Sequence, residues 1–266
     1  MSKTKTGGGF SSLVASLTIA ICVAIGFIIF KFILGDPNNF VNGDPNEHPI
    51  DGNLMGTIYK GGIIVPFLLA VNLVVIIFSI ERFVSISKTK GKGNINVFVE
   101  KVKALLNENN LDGAIEECDK QKGSLANVIR AGLDKYKAIK GDNSLDKEQK
   151  SEIIKAEIEQ AISLELPMMS KNLVVIATCV SIGTLIGLIG TVMGMIRSFA
   201  AMGQGTPDTT QLSIGISEAL INTFLGIFAS TVATIFYNFF NTKIDQMTHA
   251  MDEAGFAIVQ NFDANN

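Results

Sequence analysis

Two long stretches without a charged side chain constrain this polypeptide more than anything else in it. One runs from Asn172 to Ile196, between Lys171 and Arg197; the other runs from Ala219 to Thr242, between Glu218 and Lys243. As a helix rising ~1.5 Å per residue, each can cross a hydrocarbon layer of ~30 Å. The residues that interrupt the apolar side chains are small or hydroxylic. At helical spacing the first run presents Thr184, Gly187, Thr191, Gly194 and Ser198, and the second presents Thr223, Gly226, Ser230 and Thr234. Such a stripe serves close helix packing, because small residues let membrane helices approach and a Ser or Thr hydroxyl bonds a carbonyl one turn back. It also serves as the lining of a cavity filled by water or by another polypeptide. The two readings are compatible, with glycines packing and threonines lining.

Two more apolar runs precede these, Leu13 to Phe30 and Gly61 to Ile80. With 47% hydrophobic residues and a mean hydropathy of +0.35, the chain reads as a multi-spanning membrane protein. The first run could be a signal peptide, but the KFILGDP that follows offers no small-residue cleavage site, so a retained helix is expected. Residues 35–60 hold three prolines, four acids and GDPN twice, the composition of a loop. Pro66 sits near the start of the second run and suits a helix beginning or a kink there. That run closes on Glu81-Arg82, read as an interfacial charge pair anchoring the helix end.

Residues 86–171 contain 15 of the 22 Lys and Arg residues, interleaved with acids. Val97, Phe98, Val102, Leu105 and Leu106 recur at helical spacing, and joints fall at Asn-Asn, Lys-Gly and Gly-Asp. From Ser144 a charged, helix-prone run is expected to continue into the third membrane helix, kinked at Pro167. In the tail, Ile244, Met247, Met251, Ala254 and Ile258 mark a packed extension of the fourth helix. The predicted layout is therefore an N-terminal segment with a first transmembrane helix (1–34), a loop (35–60), a second helix (61–85) and a helical domain (86–171). A third helix (172–198), a connection (199–211), a fourth helix (212–242) and a tail (243–266) follow. Lys and Arg beside the membrane, including Lys3 and Lys5, put both termini and the middle domain in the cytoplasm, against the count at Lys31 and Arg197.

Little in the chain suggests enzymatic chemistry. No nucleophile elbow, phosphate-binding loop or paired metal motif is present. Only His48 and His249 occur, far apart, so neither a metal nor a cofactor is expected. Cys22, Cys118 and Cys179 form no disulfide framework. A net charge of −3 without a basic face argues against nucleic acid. Glu218, at the outer end of the fourth helix, is the one acid that combines an interfacial position with a possible part in proton entry or partner contact. The runs themselves hold hydroxyls and no titratable carboxylate, amine or imidazole near their middles. If protons cross, a second polypeptide has to bring the acid.

Residues 185–199, LIGLIGTVMGMIRSF, resemble the LLGLLGTVxGMIxxF signature of the MotA/TolQ/ExbB proton-channel family. Residues 217–240, SEALINTFLGIFASTVATIFYNFF, are similar to its EALxxTxxGLxxAIPAxxxYN segment, and the overall layout is most similar to ExbB and TolQ. The resemblance implies an all-α membrane protein of five copies around a central pore. It also implies a single-span, ExbD-like partner whose membrane aspartate sits opposite pore threonines, and a TonB-like protein that receives the force. Thr191 and Thr223 stand at the positions of those threonines; Thr184, Ser230 and Thr234 are weaker pore candidates, and Glu218 matches the acid of the EAL triplet. Gly187, Gly190, Gly194 and Gly226 are read as packing residues, and Glu81-Arg82 resembles the family's dipeptide at the end of the corresponding helix. Thr184 and Val232 replace prolines common in the family, which leaves helix curvature open. The expected activity is that of an ExbB-like stator energising outer-membrane transport. The alternatives are a TolQ-like or MotA-like motor, or a scaffold that binds a partner helix without ion flux.

Overall fold

The computed structural model describes residues 8–141, 144–202 and 209–265. Lys3 and Lys5, and residues 203–208 of the 199–211 connection, lie outside them. Among the described residues there are nine α-helices and no named strand: α1 (Gly8–Ile28), α2 (Leu54–Tyr59), α3 (Val65–Thr89), α4 (Ile95–Asn107), α5 (Leu111–Gln121), α6 (Gly123–Ile139), α7 (Lys147–Ser170), α8 (Leu173–Met202) and α9 (Thr209–Asn265). Among the described residues four stretches are long and apolar enough to cross a membrane: Leu13–Leu34, Gly62–Thr89, Leu173–Met202 and the apolar part of α9. The architecture is all-α. It divides into two compact units, residues 1–80 with 172–237, and residues 81–171 with 238–266; α3 and α9 contribute to both.

In the first unit α1 ends in a wider turn, Ile29–Leu34, where the Gly35 N–H reaches back to the Phe30 carbonyl at 2.9 Å. The carbonyls this leaves at the helix end are not orphaned. Asn39 Nδ2 donates to Ile33 O at 2.8 Å and to Leu34 O at 3.0 Å. The 35–60 loop is more ordered than its composition suggests. Both GDPN copies fold as the same turn, with Asp36 Oδ1 accepting from Asn38 N and Asp44 Oδ1 from Asn46 N, each at 2.8 Å. Asn53 caps α2 by accepting from Met55 N and Gly56 N. Tyr59 then stacks on Phe30 and meets Phe40 edge-on, which folds the loop onto the end of α1. Lys60 secures the far side, donating to Pro45 O and Asn46 O at 2.9 and 3.0 Å, and burial lowers its pKa. Pro66 is the second residue of α3, where a missing N–H costs the helix nothing. Leu34, Val65, Leu68 and Leu225 form the buried centre of this unit.

The second unit is a bundle of amphipathic helices. Phe98, Val102 and Leu106, at i, i+4 and i+8 of α4, are buried, whereas Val97 of the same sequence pattern faces out. The five tail residues Ile244, Met247, Met251, Ala254 and Ile258 are all buried, and Phe262 beyond them meets Tyr136 of α6 edge-on. Asn261 Nδ2 donates to Leu106 O at 2.8 Å, fixing the end of α9 to α4. Asp146 and Gln149 form a reciprocal capping box at the start of α7. Cys118 is buried in α5, and burial pushes its thiol pKa up to about 12.

One expectation is corrected here. The run from Ser144 does not continue into the third membrane helix. It accommodates Pro167 inside α7 and ends at Ser170; Lys171 is extended and Asn172 adopts a left-handed φ of 60° before α8 begins. Asn is the residue in that stretch that tolerates such a conformation, so the chain breaks there and not at the proline. Arg82 forms the expected pair with Glu81 from a buried position. Its side chain is 1% exposed, its guanidinium grips the Glu81 carboxylate through two bonds of 2.6 and 2.7 Å, and Nη1 donates to Met169 O at 3.3 Å. It thereby caps a carbonyl in the last turn of α7, at the negative end of that helix's dipole.

Candidate functional site

Helices α8 and α9 meet along the small-residue stripes. A Cβ on Gly226 would lie 2.6 Å from Gly183 O and 2.8 Å from Gly187 Cα; one on Gly190 would lie 2.4 Å from Asn222 Cβ, and one on Gly194 would lie 2.6 Å from Gly215 O. Any side chain at these places would force the backbones apart, so Gly187, Gly190, Gly194 and Gly226 set the approach of the helices. Gly183, Gly215 and Ser198 belong to the same seam. The close approach brings hydroxyls on opposite helices into contact.

These hydroxyls form two rungs. Thr191 Oγ1 bonds Thr223 Oγ1 across the seam, and the Thr223 hydroxyl also reaches Ala219 O at 3.1 Å. Thr184 Oγ1 lies 2.7 Å from Ser230 Oγ, which donates to Val180 O at 2.6 Å. The rungs are seven residues apart on each helix, about two turns or ~10 Å, so both lie on the same side of an antiparallel pair. Thr234 stands one turn further, its hydroxyl donating to Ser230 O at 2.8 Å. Thr184 occupies a proline position of the family signature and supplies a bond that a proline could not make. Away from the rungs the surface of the pair is apolar and exposed, with Leu185, Leu188, Leu220, Phe224 and Ile227 among its residues. Hydroxyls in this arrangement can pass a hydrogen bond along the seam but neither gain nor lose a proton at neutral pH.

A second polar cluster forms where α9 meets the Gly61-Gly62 turn ahead of α3. The Glu218 side chain is only 4% exposed, and both of its oxygens accept from Arg197 Nη1 at 2.7 Å, while the arginine is 54% exposed. One turn further along α9, the buried Asn222 donates to Gly61 O at 2.8 Å, and its Oδ1 has no partner among the described residues. Gly62 has a φ of +74°, and a Cβ there would lie 2.5 Å from Glu218 Oε1, so both conformation and space require glycine. Sequence reasoning counted Arg197 only as a charge on the wrong side of the membrane and passed over Asn222. The spacing of Glu218 and Asn222, i and i+4, was the available signal that both face the same way.

The Arg197–Glu218 pair should show coupling in a double-mutant cycle. Arg197→Gln leaves a buried carboxylate alone, at an expected cost of roughly 1–3 kcal/mol, below that of a fully buried pair because the arginine is half in solvent. Glu218→Gln relieves that cost, so the double variant should lose less thermal stability in detergent than the sum of the singles. Strict additivity would mean that the contact contributes nothing.

The sequence profile of the MotA/TolQ/ExbB proton channel family matches residues 120–253, half the chain, including both rungs and Glu218. The chain belongs to this family. As a MotA/TolQ/ExbB protein with four sufficiently long apolar helices, it is a multi-pass membrane protein. Curated members of the family point the same way. An ExbB-like biopolymer transport protein of Synechocystis is 33% identical over 88 residues, 32% of this chain and 42% of that one. The Tol-Pal system protein TolQ of Pseudomonas aeruginosa is 32% identical over 123 residues, covering 45% and 52% of the two chains. The biopolymer transport protein ExbB of Aquifex aeolicus is 28% identical over 118 residues, 44% of this chain and 72% of that protein. The chain thus spans about half the length of the first two.

Proposed function

We propose that the chain is the ion-motive stator subunit of an ExbB-like energy-transducing complex in the bacterial inner membrane. The observation that carries this reading is the pair of hydroxyl rungs, Thr191–Thr223 and Thr184–Ser230, aligned on one side of the α8–α9 seam. The uncharged runs of both helices contain no carboxylate of their own. Hydroxyls stabilise a protonated or ionised acid at depth, and an acid at depth is what a proton relay requires. Five copies, each turning this seam inward, would enclose a passage. A single-span, ExbD-like partner would bring an aspartate to the rungs, with the termini and the bundle of α4–α7 in the cytoplasm. Glu218, held by Arg197 beside the Gly61-Gly62 turn, would sit at the outer mouth.

One proton crossing releases ~2.3 kcal/mol per 100 mV, so work on a TonB-like protein requires repeated cycles and no covalent chemistry by this chain. A TolQ-like role in the envelope is the second reading, supported by the TolQ of Pseudomonas aeruginosa, which matches about as well as the ExbB of Aquifex aeolicus. The test is affinity purification of the tagged chain from its native membrane. A single-span protein with an aspartate in its membrane helix should copurify, and the pair in vesicles should pass protons. Recovery of the chain alone, or of a complex that passes no protons, contradicts the proposal.

A further inference from the structure

The second unit holds a cavity of about 570 Å³ to which the proton pathway assigns no role, formed by the C-terminal end of α3, the start of α4 at Asn94 to Asn96, and the part of α9 past residue 238. Its lining is graded. On one side stand Phe83 and Phe239, 59% and 44% exposed, at the places where the uncharged runs of α3 and α9 give out. On the other are Lys90, Lys243 and His249. Glu253, the acid in the lining, is already engaged by Lys103 at 2.6 Å, and Lys243 reaches the neutral Gln246 at 3.2 Å. The cavity therefore presents cations beyond a phenyl-lined entrance, at the level where a membrane helix leaves hydrocarbon for headgroups.

We propose that this cavity seats an anionic phospholipid, its phosphate on the Lys90 and Lys243 side and its acyl chains running back along Phe83 and Phe239. A soluble anion would have no need of the exposed phenyl rings, and a neutral lipid would leave two ammonium groups without a counter-charge. Basic cavities at the cytoplasmic ends of membrane helices recognise anionic headgroups through this combination of charge and apolar contact. The site is separate from the hydroxyl seam.

Native mass spectrometry of the purified full chain tests it, titrating with short-chain phosphatidylglycerol, short-chain phosphatidylcholine and inorganic phosphate. Phosphatidylglycerol should bind, the other two should not bind at the same concentrations, and Lys90→Gln with Lys243→Gln should weaken binding about thirtyfold. The exposed pair Lys140→Gln with Lys155→Gln, away from the cavity, should leave it unchanged. The proposal is overturned if the two lipids bind alike, if inorganic phosphate alone fills the site, or if both double variants lose binding equally. It is also overturned if the Lys90 and Lys243 changes dissociate the oligomer while lipid binding persists, which would make the occupant a second copy.

Discussion

Replacing Thr223 by Val should leave the protein assembled in the membrane and stop proton-driven work. Valine keeps the shape of threonine, and Ala219 O, which accepts the Thr223 hydroxyl at 3.1 Å, remains within the helical backbone ladder. Fold stability should therefore change by about 1 kcal/mol or less. What disappears is one half of the Thr191–Thr223 rung, the group that would face a partner's acid. Proton flux through the complex should fall at least about tenfold, the worth of one hydrogen bond made in the transfer state. Thr223→Ser, which restores the hydroxyl, should recover most of it. Flux that survives Thr223→Val unchanged would favour a scaffold that binds a partner helix without conducting.

Gly226→Leu should have the larger structural effect. Its Cβ would fall 2.6 Å from Gly183 O and 2.8 Å from Gly187 Cα, atoms of a facing backbone that no rotamer change can move away. The helices would have to separate along the whole seam, at a cost of about 3 kcal/mol or more. Both rungs would open with them. The variant should be recovered in low yield, with a thermal midpoint well below that of the parent chain and no bound partner. Phe224→Leu, an exposed change two residues away on the apolar face, should behave like the parent in the same assay.

The stripes were legible because small and hydroxylic residues stand out against Leu, Ile and Phe at helical spacing. The rungs were legible in part: Thr184 to Thr191 and Thr223 to Ser230 both span seven residues, yet pairing them needs the register of two antiparallel helices, which the glycine contacts fix. The Arg197–Glu218 clamp was hidden because the two residues are 21 positions apart and meet only after the chain reverses between α8 and α9. Asn222 was passed over because a neutral amide in an apolar run looks like part of the stripe; its partner, Gly61 O, is 161 positions away. The cap that Arg82 gives α7 was hidden for a similar reason, since the carbonyl it reaches lies 87 positions on. The break at Asn172 went unseen because Pro167 drew attention as the stronger local signal, and α7 absorbed it.

A structure of the complex, purified from native membrane into lipid nanodiscs, tests the central claim most directly. The account expects several copies around a closed passage, with the Thr191–Thr223 and Thr184–Ser230 rungs turned inward toward a partner helix and Leu188, Leu220 and Ile227 turned to lipid. Rungs lying against acyl chains, or a lone copy enclosing nothing, would contradict it.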